Sequence, residues 1–197
     1  MDLHSLALSI LVLYIVVDPV GNIPLFMTVT SRIGEGARRR VLSLSVVVAS
    51  LILAFFALVG VEFFAYFGVG LGDFMVASGL VLAAFSLLYL LRPYEAPVSG
   101  GVEVAVVPLA VPYLSGPASI SYVLVLSNQY GKVFALVVIV AVAALTYLTL
   151  SASRYVMKAL GVIGIRVVEK IMLVVSVAIG VSLVRKGVAL WLSEGAV

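Results

Sequence analysis

Long apolar runs broken by short polar punctuation set the pattern of this chain. Residues 41–61 and 133–153 each run 21 residues without a charge, and residues 74–91 run 18. A helix needs about 20 apolar residues to cross the roughly 30 Å hydrocarbon core of a bilayer, so each run predicts a membrane-spanning helix. Three further apolar stretches are interrupted: 3–31 around DPVGNIP, 104–127 around PYLSGP, and 167–192, whose uncharged heart is 171–184. In the last of these Lys170, Arg185 and Lys186 can snorkel to the interfaces. The pattern therefore predicts six spans with little chain outside them.

Composition agrees with the pattern. Of 197 residues, 64% are hydrophobic and 11% charged, with a mean hydropathy of +1.30, more apolar than a water-soluble fold of this size can bury. Charge supplies an orientation. Nine basic residues (Arg32, Arg38, Arg39, Arg40, Arg92, Arg154, Lys158, Arg166 and Lys170) fall in the loops of one side, against three (Lys132, Arg185 and Lys186) on the other. The positive-inside rule makes the first side cytoplasmic and places both termini outside the cell membrane. The net charge of +3 then reflects topology rather than a nucleic-acid partner, and GARRR reads as a cytoplasmic anchor rather than a phosphate site. With Asp2 in place of a basic n-region and no small-residue cleavage site, the first apolar run is expected to be a span and not a signal peptide. The sequence has no cysteine, so disulfides and thiolate metal sites are excluded.

Shifting the chain by 93 residues lays one half on the other. Pro19 and Pro24 land on Pro112 and Pro117, the run 41–61 lands on 134–154, and Gly68-Val69 lands on Gly161-Val162. RPYEAPVSGGVE, residues 92–103, reads as a linker between halves at 1–91 and 104–197. Each half holds three spans, an odd number, so the second enters the membrane from the opposite side. The expected fold is an all-α membrane protein of six transmembrane helices, two inverted three-helix repeats, with the first and fourth helices broken mid-membrane.

The breaks carry the chemistry. Proline lacks an N–H and clashes with the preceding turn, so Pro19, Pro24, Pro112 and Pro117 free the carbonyls of Ile15, Val20, Pro108 and Tyr113. Open backbone at membrane depth is tolerated only where it is buried in protein or lines a wet cavity. Gly21 or Asn22 is placed to cap one restarting half-helix and Ser115 the other, each with a proline in its first turn. Helix N-termini favour anions and helix C-termini favour cations. Asp18 adds a carboxylate at a depth where a charge needs a reason. The pattern fits a small zwitterion whose ammonium meets Asp18 and the carbonyls before it, and whose carboxylate meets the N-termini at Gly21–Asn22 and Ser115–Gly116. X-Pro-x-Gly is also a common kink, and Asp18 capping the second half-helix is the plainer alternative.

With DPVGNIPLF at 18–26 followed by a basic loop, and VPLAVPYLSGP at 107–117, the chain resembles the MarC family of six-span membrane proteins. Glycine-containing third and sixth spans preceded by acidic residues, DFMVASG and VEKIM, agree more weakly. The resemblance covers nearly the whole chain. It implies a carrier of the plasma or inner membrane for small neutral amino acids, glycine and alanine foremost, with the two broken-helix motifs in the binding site. The substrate-binding residues it points to are Asp18, Pro19, Gly21, Asn22, Pro24, Pro112, Ser115, Gly116 and Pro117. Two departures stand out: Ser115-Gly116-Pro117-Ala118 where the family commonly has Ala-Gly-Pro-Gly, which polarises the pocket, and Leu173 where a glycine often follows Glu-Arg-Leu-Met, which argues against close helix packing there.

Other polar residues read as ordinary. His4 lies at the edge of the first span, and Glu62, Asp73, Glu103 and Glu169 lie at span ends where carboxylates reach water, with Glu169 turned inward as the alternative for that residue. Gly68, Gly70 and Gly72 read as loop rather than dimer motif, and Tyr14, Tyr113 and Tyr122 flank the breaks as pocket or packing aromatics. An enzyme is not expected: no Gly-x-Ser-x-Gly occurs, and His4 is at the wrong depth for a Ser/His pair. A channel would need a filter motif such as TVGYG, which is absent, and drug efflux would need a large greasy pocket. No cofactor or metal is expected, and no nucleic acid; the partners are a zwitterionic substrate and the lipid bilayer. The mechanism expected is alternating access, with H+ preferred over Na+ as coupling ion because the breaks offer no second carboxylate for a sodium cage. Oligomeric state is left open.

Overall fold

The computed structural model describes residues 2–31, 33–91 and 105–194. Arg32 and the expected linker at 92–103, with Arg92 and Glu103, lie outside the described residues. The first interrupted stretch forms two helices, α1 (Leu3–Val17) and α2 (Ile23–Val29). Asp2 caps α1, accepting from the N–H of His4 and Ser5 at 3.3 Å and from the Ser5 hydroxyl at 3.0 Å. The Ser5 hydroxyl leads in holding its carboxyl below the usual range, the two backbone bonds adding to it. Two uninterrupted helices follow, α3 (Glu35–Tyr66) and α4 (Leu71–Leu91). The second interrupted stretch is a π-helical segment (Val106–Leu114), extended at Val107 and Val111, followed by α5 (Pro117–Tyr130) at a bend of 52°. Last come α6 (Lys132–Ser151) and α7 (Ser153–Glu194).

Among the described residues four helices are long and apolar enough to cross a membrane, five if the bent pair counts as one. The 15 residues of α1 and the 7 of α2 each fall short alone. Two boundaries differ from the sequence reading. α3 begins at Glu35, so Arg38, Arg39 and Arg40, expected in a loop, are helical, because nothing between Gly34 and Tyr66 stops a helix. The basic stretch ahead of the last span is helical as well, and α7 breaks only at Gly161, whose φ of 65° and ψ of 179° suit a residue without a side chain.

The most intimate contact runs between α4 and α7. Gly72 meets Gly187 and Gly79 meets Gly180, both spaced seven apart on antiparallel helices. A Cβ on Gly180 would stand 2.7 Å from the Gly79 carbonyl oxygen, and one on Gly187 2.6 Å from that of Gly72. In lipid, helices associate by close packing rather than by expelling water, so small residues decide where they touch. Gly72 is therefore a packing residue of a helix and not part of the loop the sequence suggested. Further along the pair, the Lys170 ammonium donates to the carbonyls of Tyr89 (2.8 Å) and Leu90 (3.0 Å), capping the end of α4 rather than snorkelling free.

A second body of packing gathers α1, α2, the π segment, α5 and the inner faces of α3 and α6, with Leu13, Phe26, Val41, Leu109, Leu114, Val123 and Val138 at its centre. At one end of the bundle stand the basic residues from Arg38 to Arg40 on α3 and from Arg154 to Lys170 on α7. Here Glu35 pairs with Arg154. Arg38 does not act as a solvated anchor: it is buried, donates to the Ser153 hydroxyl at 2.7 Å and the Met27 sulfur at 3.3 Å, and lies 5.2 Å from the Phe26 ring centre. It thereby ties α2, α3 and the start of α7 together. The opposite end holds Glu62, which pairs with Lys132 at 2.8 Å.

Candidate functional site

Both proline breaks open onto one cavity of about 220 Å³. The first break is a turn built on Asp18, which ends α1 in the left-handed region (φ 48°) while its N–H still reaches the Tyr14 carbonyl at 3.0 Å. Its Oδ1 accepts from the Gly21 N–H at 2.9 Å, leaving Oδ2 without a partner among the described residues. Gly21 has to be glycine here, since a Cβ would overlap that carboxylate. Asn22 does not cap α2 with its side chain as expected; its amide turns back to donate to the carbonyls of Asp18 (2.8 Å) and Val17 (3.2 Å). The Val20 carbonyl freed by Pro24 is taken by the Ile23 N–H at 3.1 Å. The Val17, Asp18 and Val20 carbonyls are thus spoken for inside the turn, Val17 by the Asn22 amide because the Gly21 N–H has turned to the Asp18 carboxylate.

At the second break Ser115 behaves like Asn22. Its hydroxyl donates to the Ala110 carbonyl at 2.8 Å, and its N–H reaches the same oxygen at 2.9 Å. Ser115 therefore does not cap α5. Gly116 takes the cap position with no side-chain bond, and Pro117 lies in the first turn. The N–H groups of Ala118 and Ser119 follow at the cavity wall, so α5 presents an uncapped N-terminus to the cavity. α2, with one turn fewer and its start already committed, offers much less.

Seven of the nine residues read from the sequence line this cavity: Asp18, Gly21, Asn22, Pro24, Pro112, Gly116 and Pro117. Pro19 and Ser115 are buried behind it and shape the turns instead. Tyr113 lines it, its ring stacked 6.4 Å from that of Tyr89, whereas Tyr14 bonds the Thr149 hydroxyl at 2.7 Å away from the wall. Tyr122 is also absent from the wall. Apart from the alternative held open for Glu169, the sequence reading missed the far wall. Val81, Leu82, Phe85, Ser86 and Tyr89 of α4 form it together with Glu169, Leu173 and Ser176 of α7. Glu169 is a correction: it is half-buried and turned into the cavity, not a boundary carboxylate. The spacing 169, 173, 176 is one helical stripe, the signal that could have found it. Leu173 stands where α4 and α7 no longer touch glycine to glycine, so its bulk forms wall. Among the described residues no lysine, arginine or histidine lines the cavity, and no group of three or more His, Cys, Asp or Glu could hold a metal ion.

A family model described as MarC family integral membrane protein matches residues 3–192. The chain belongs to the MarC family. Among its MarC relatives, the UPF0056 membrane protein MJ1677 of Methanocaldococcus jannaschii is 30% identical over 200 residues, covering 95% of this chain and 98% of that protein. A UPF0056 membrane protein of Archaeoglobus fulgidus is 31% identical, covering 92% of this chain and 91% of its own. The UPF0056 inner membrane protein YhgN of Escherichia coli K12 is 24% identical, covering 96% and 99%. No solved structure matches the chain. Membership makes this an integral membrane protein, in keeping with its apolar helices.

Proposed function

We infer that the protein is a secondary transporter of the cell membrane that moves small neutral amino acids, glycine and alanine, by alternating access. The observation that carries this reading is the cavity itself: two interrupted helices meet at one pocket of about 220 Å³ with an acidic side chain and an uncapped helix N-terminus in its wall. A zwitterion fits with its ammonium toward the open Oδ2 of Asp18 and its carboxylate toward the N-terminus of α5. The volume holds a molecule of few heavy atoms plus water and is small for a drug. α1 and α2 together make one broken span and the π segment with α5 another, which brings the count to six.

Two equivalences support the inverted repeat of 1–91 and 104–197. The bonds Asn22 to Val17 and Ser115 to Ala110 join positions that are 93 apart at both ends. A small cavity of about 20 Å³ is walled by Val46, Ala49, Ser50 and Leu53 of α3 and by Ile139, Val142, Ala143 and Thr146 of α6, again pairs 93 apart, as a two-fold axis between those helices requires. The 220 Å³ cavity reaches toward the basic end, with Thr28, Tyr89 and Glu169 in its wall, which is the cytoplasmic side on the positive-inside reading. A proton carried on Asp18 is the coupling we favour over sodium. Counterflow of labelled glycine and alanine in proteoliposomes, under imposed pH or sodium gradients, tests the reading: saturable exchange is expected, and unsaturable conductance would make the protein a channel. Full pH-driven accumulation by Asp18→Asn would remove the proton from Asp18 while leaving the site.

A further inference from the structure

Glu169 is the carboxylate in the cavity that the fold leaves unemployed. Asp18 spends one oxygen on the Gly21 N–H, and its left-handed backbone makes it part of the turn. Glu169 has no hydrogen bond or ion pair among the described residues. Its neighbour Lys170 donates instead to the carbonyls of Tyr89 and Leu90, and Arg166, one turn before it on α7, forms no ion pair with it among the described residues. An acid on a helix wall, half-buried between apolar side chains and facing a cavity without a basic lining residue among the described residues, calls for a cation from the solution.

Depth separates Glu169 from the break. In the register set by Gly79 with Gly180, Ser176 stands opposite Ala83, near the middle of the α4–α7 pair. Glu169 is two helical turns nearer the basic end, about 10 Å at the rise of a helix. It therefore guards the mouth, while Asp18 and the N-terminus of α5 occupy the floor. The repeat makes this guard one-sided. The position 93 residues earlier is Val76, an apolar residue packed on Gly187, so a mouth opened to the other side by the mirrored movement would present valine where this one presents a carboxylate.

We propose that Glu169 is a specificity-determining ammonium station at the mouth of the cavity, serving substrate that binds from the basic end only. This rests on the transport reading above. It supplies a first contact for the substrate ammonium on this side, selects against anions and makes the carrier kinetically asymmetric. The test is uptake of labelled glycine by everted and right-side-out membrane vesicles from cells expressing the full chain, with Glu169→Gln and Glu169→Asp beside wild type. Glu169→Gln is isosteric, and its melting temperature in detergent checks that it folds. With the basic end facing the medium, Glu169→Gln raises the half-saturation concentration about tenfold, the worth of one charge-assisted contact, and Glu169→Asp falls between. From the other side half-saturation stays put, and only the maximal rate changes, as a carrier that cannot shift the equilibrium requires. Glycolate, an anion that lacks the ammonium, competes more strongly with Glu169→Gln than with wild type from the basic end. Equal shifts from both sides would make Glu169 part of the floor, and no shift from either would make it a bystander; each result overturns the proposal. Wild-type vesicles that take up neither glycine nor alanine would overturn the transport reading itself, and this proposal with it.

Discussion

Removing the Asn22 amide should separate the two breaks energetically. Its two hydrogen bonds, at 2.8 and 3.2 Å, are side-chain donors to the Asp18 and Val17 carbonyls at the end of α1, and the residue is 8% exposed. Asn22→Ala strands the Val17 carbonyl, while that of Asp18 keeps the Asn22 N–H at 3.2 Å. A lost buried acceptor costs about 1–3 kcal/mol, but Asn22 also lines the cavity, so water can replace part of the loss. The expected cost is about 2 kcal/mol, which for a chain of this size lowers the melting temperature by roughly 4–8 °C. The matched change at the second break, Ser115→Ala, removes one bond of 2.8 Å to a carbonyl that keeps the Ser115 N–H at 2.9 Å. That acceptor is never stranded, and about 1 kcal/mol or less is expected. Thermal unfolding of both variants in the same detergent, followed by size-exclusion chromatography, measures the difference. An Asn22→Ala protein that melts within about 1 °C of wild type, or a Ser115→Ala protein that loses as much, would refute the account of how the breaks are satisfied.

The glycine contacts predict that Gly180→Ala, whose Cβ would stand 2.7 Å from the Gly79 carbonyl and 3.0 Å from the Ala83 nitrogen, forces α4 and α7 apart at a cost of about 1–3 kcal/mol. A disulfide engineered on the opposite faces of the pair would report the separation by its slower formation. Gly21→Ala places a methyl on the Asp18 carboxylate and should abolish glycine uptake with a smaller loss of stability than Gly180→Ala, read by comparing vesicle uptake with melting. Arg38→Lys keeps the charge but not the planar fork that reaches both Ser153 and Met27, and should cost about 1–2 kcal/mol, whereas Arg39→Lys, exposed on the same turn, should cost nothing measurable by thermal unfolding.

What the sequence determined is everything that follows from the nearest few residues. Apolar runs longer than a bilayer is thick had to be helices in lipid, because backbone polar groups find no other partner there. Four prolines had to interrupt two of those helices, since the missing N–H and the ring clash act within one turn. Tertiary structure decided which groups those interruptions offer to a ligand. Asn22 and Ser115 looked like caps for the helices ahead of them and became donors to the carbonyls behind them, because acceptors buried at the ends of the preceding helical segments outbid an N–H that opens onto a cavity. Glu169 looked like a boundary residue because its distance from the span end was legible and its angle around α7 was not. That angle was fixed by Gly180 and Gly187 meeting Gly79 and Gly72, a pairing between residues about a hundred positions apart that no local rule announces. The same pairing turned Leu173 and Ser176 toward the opening and so completed the half of the cavity wall that the proline motifs do not supply.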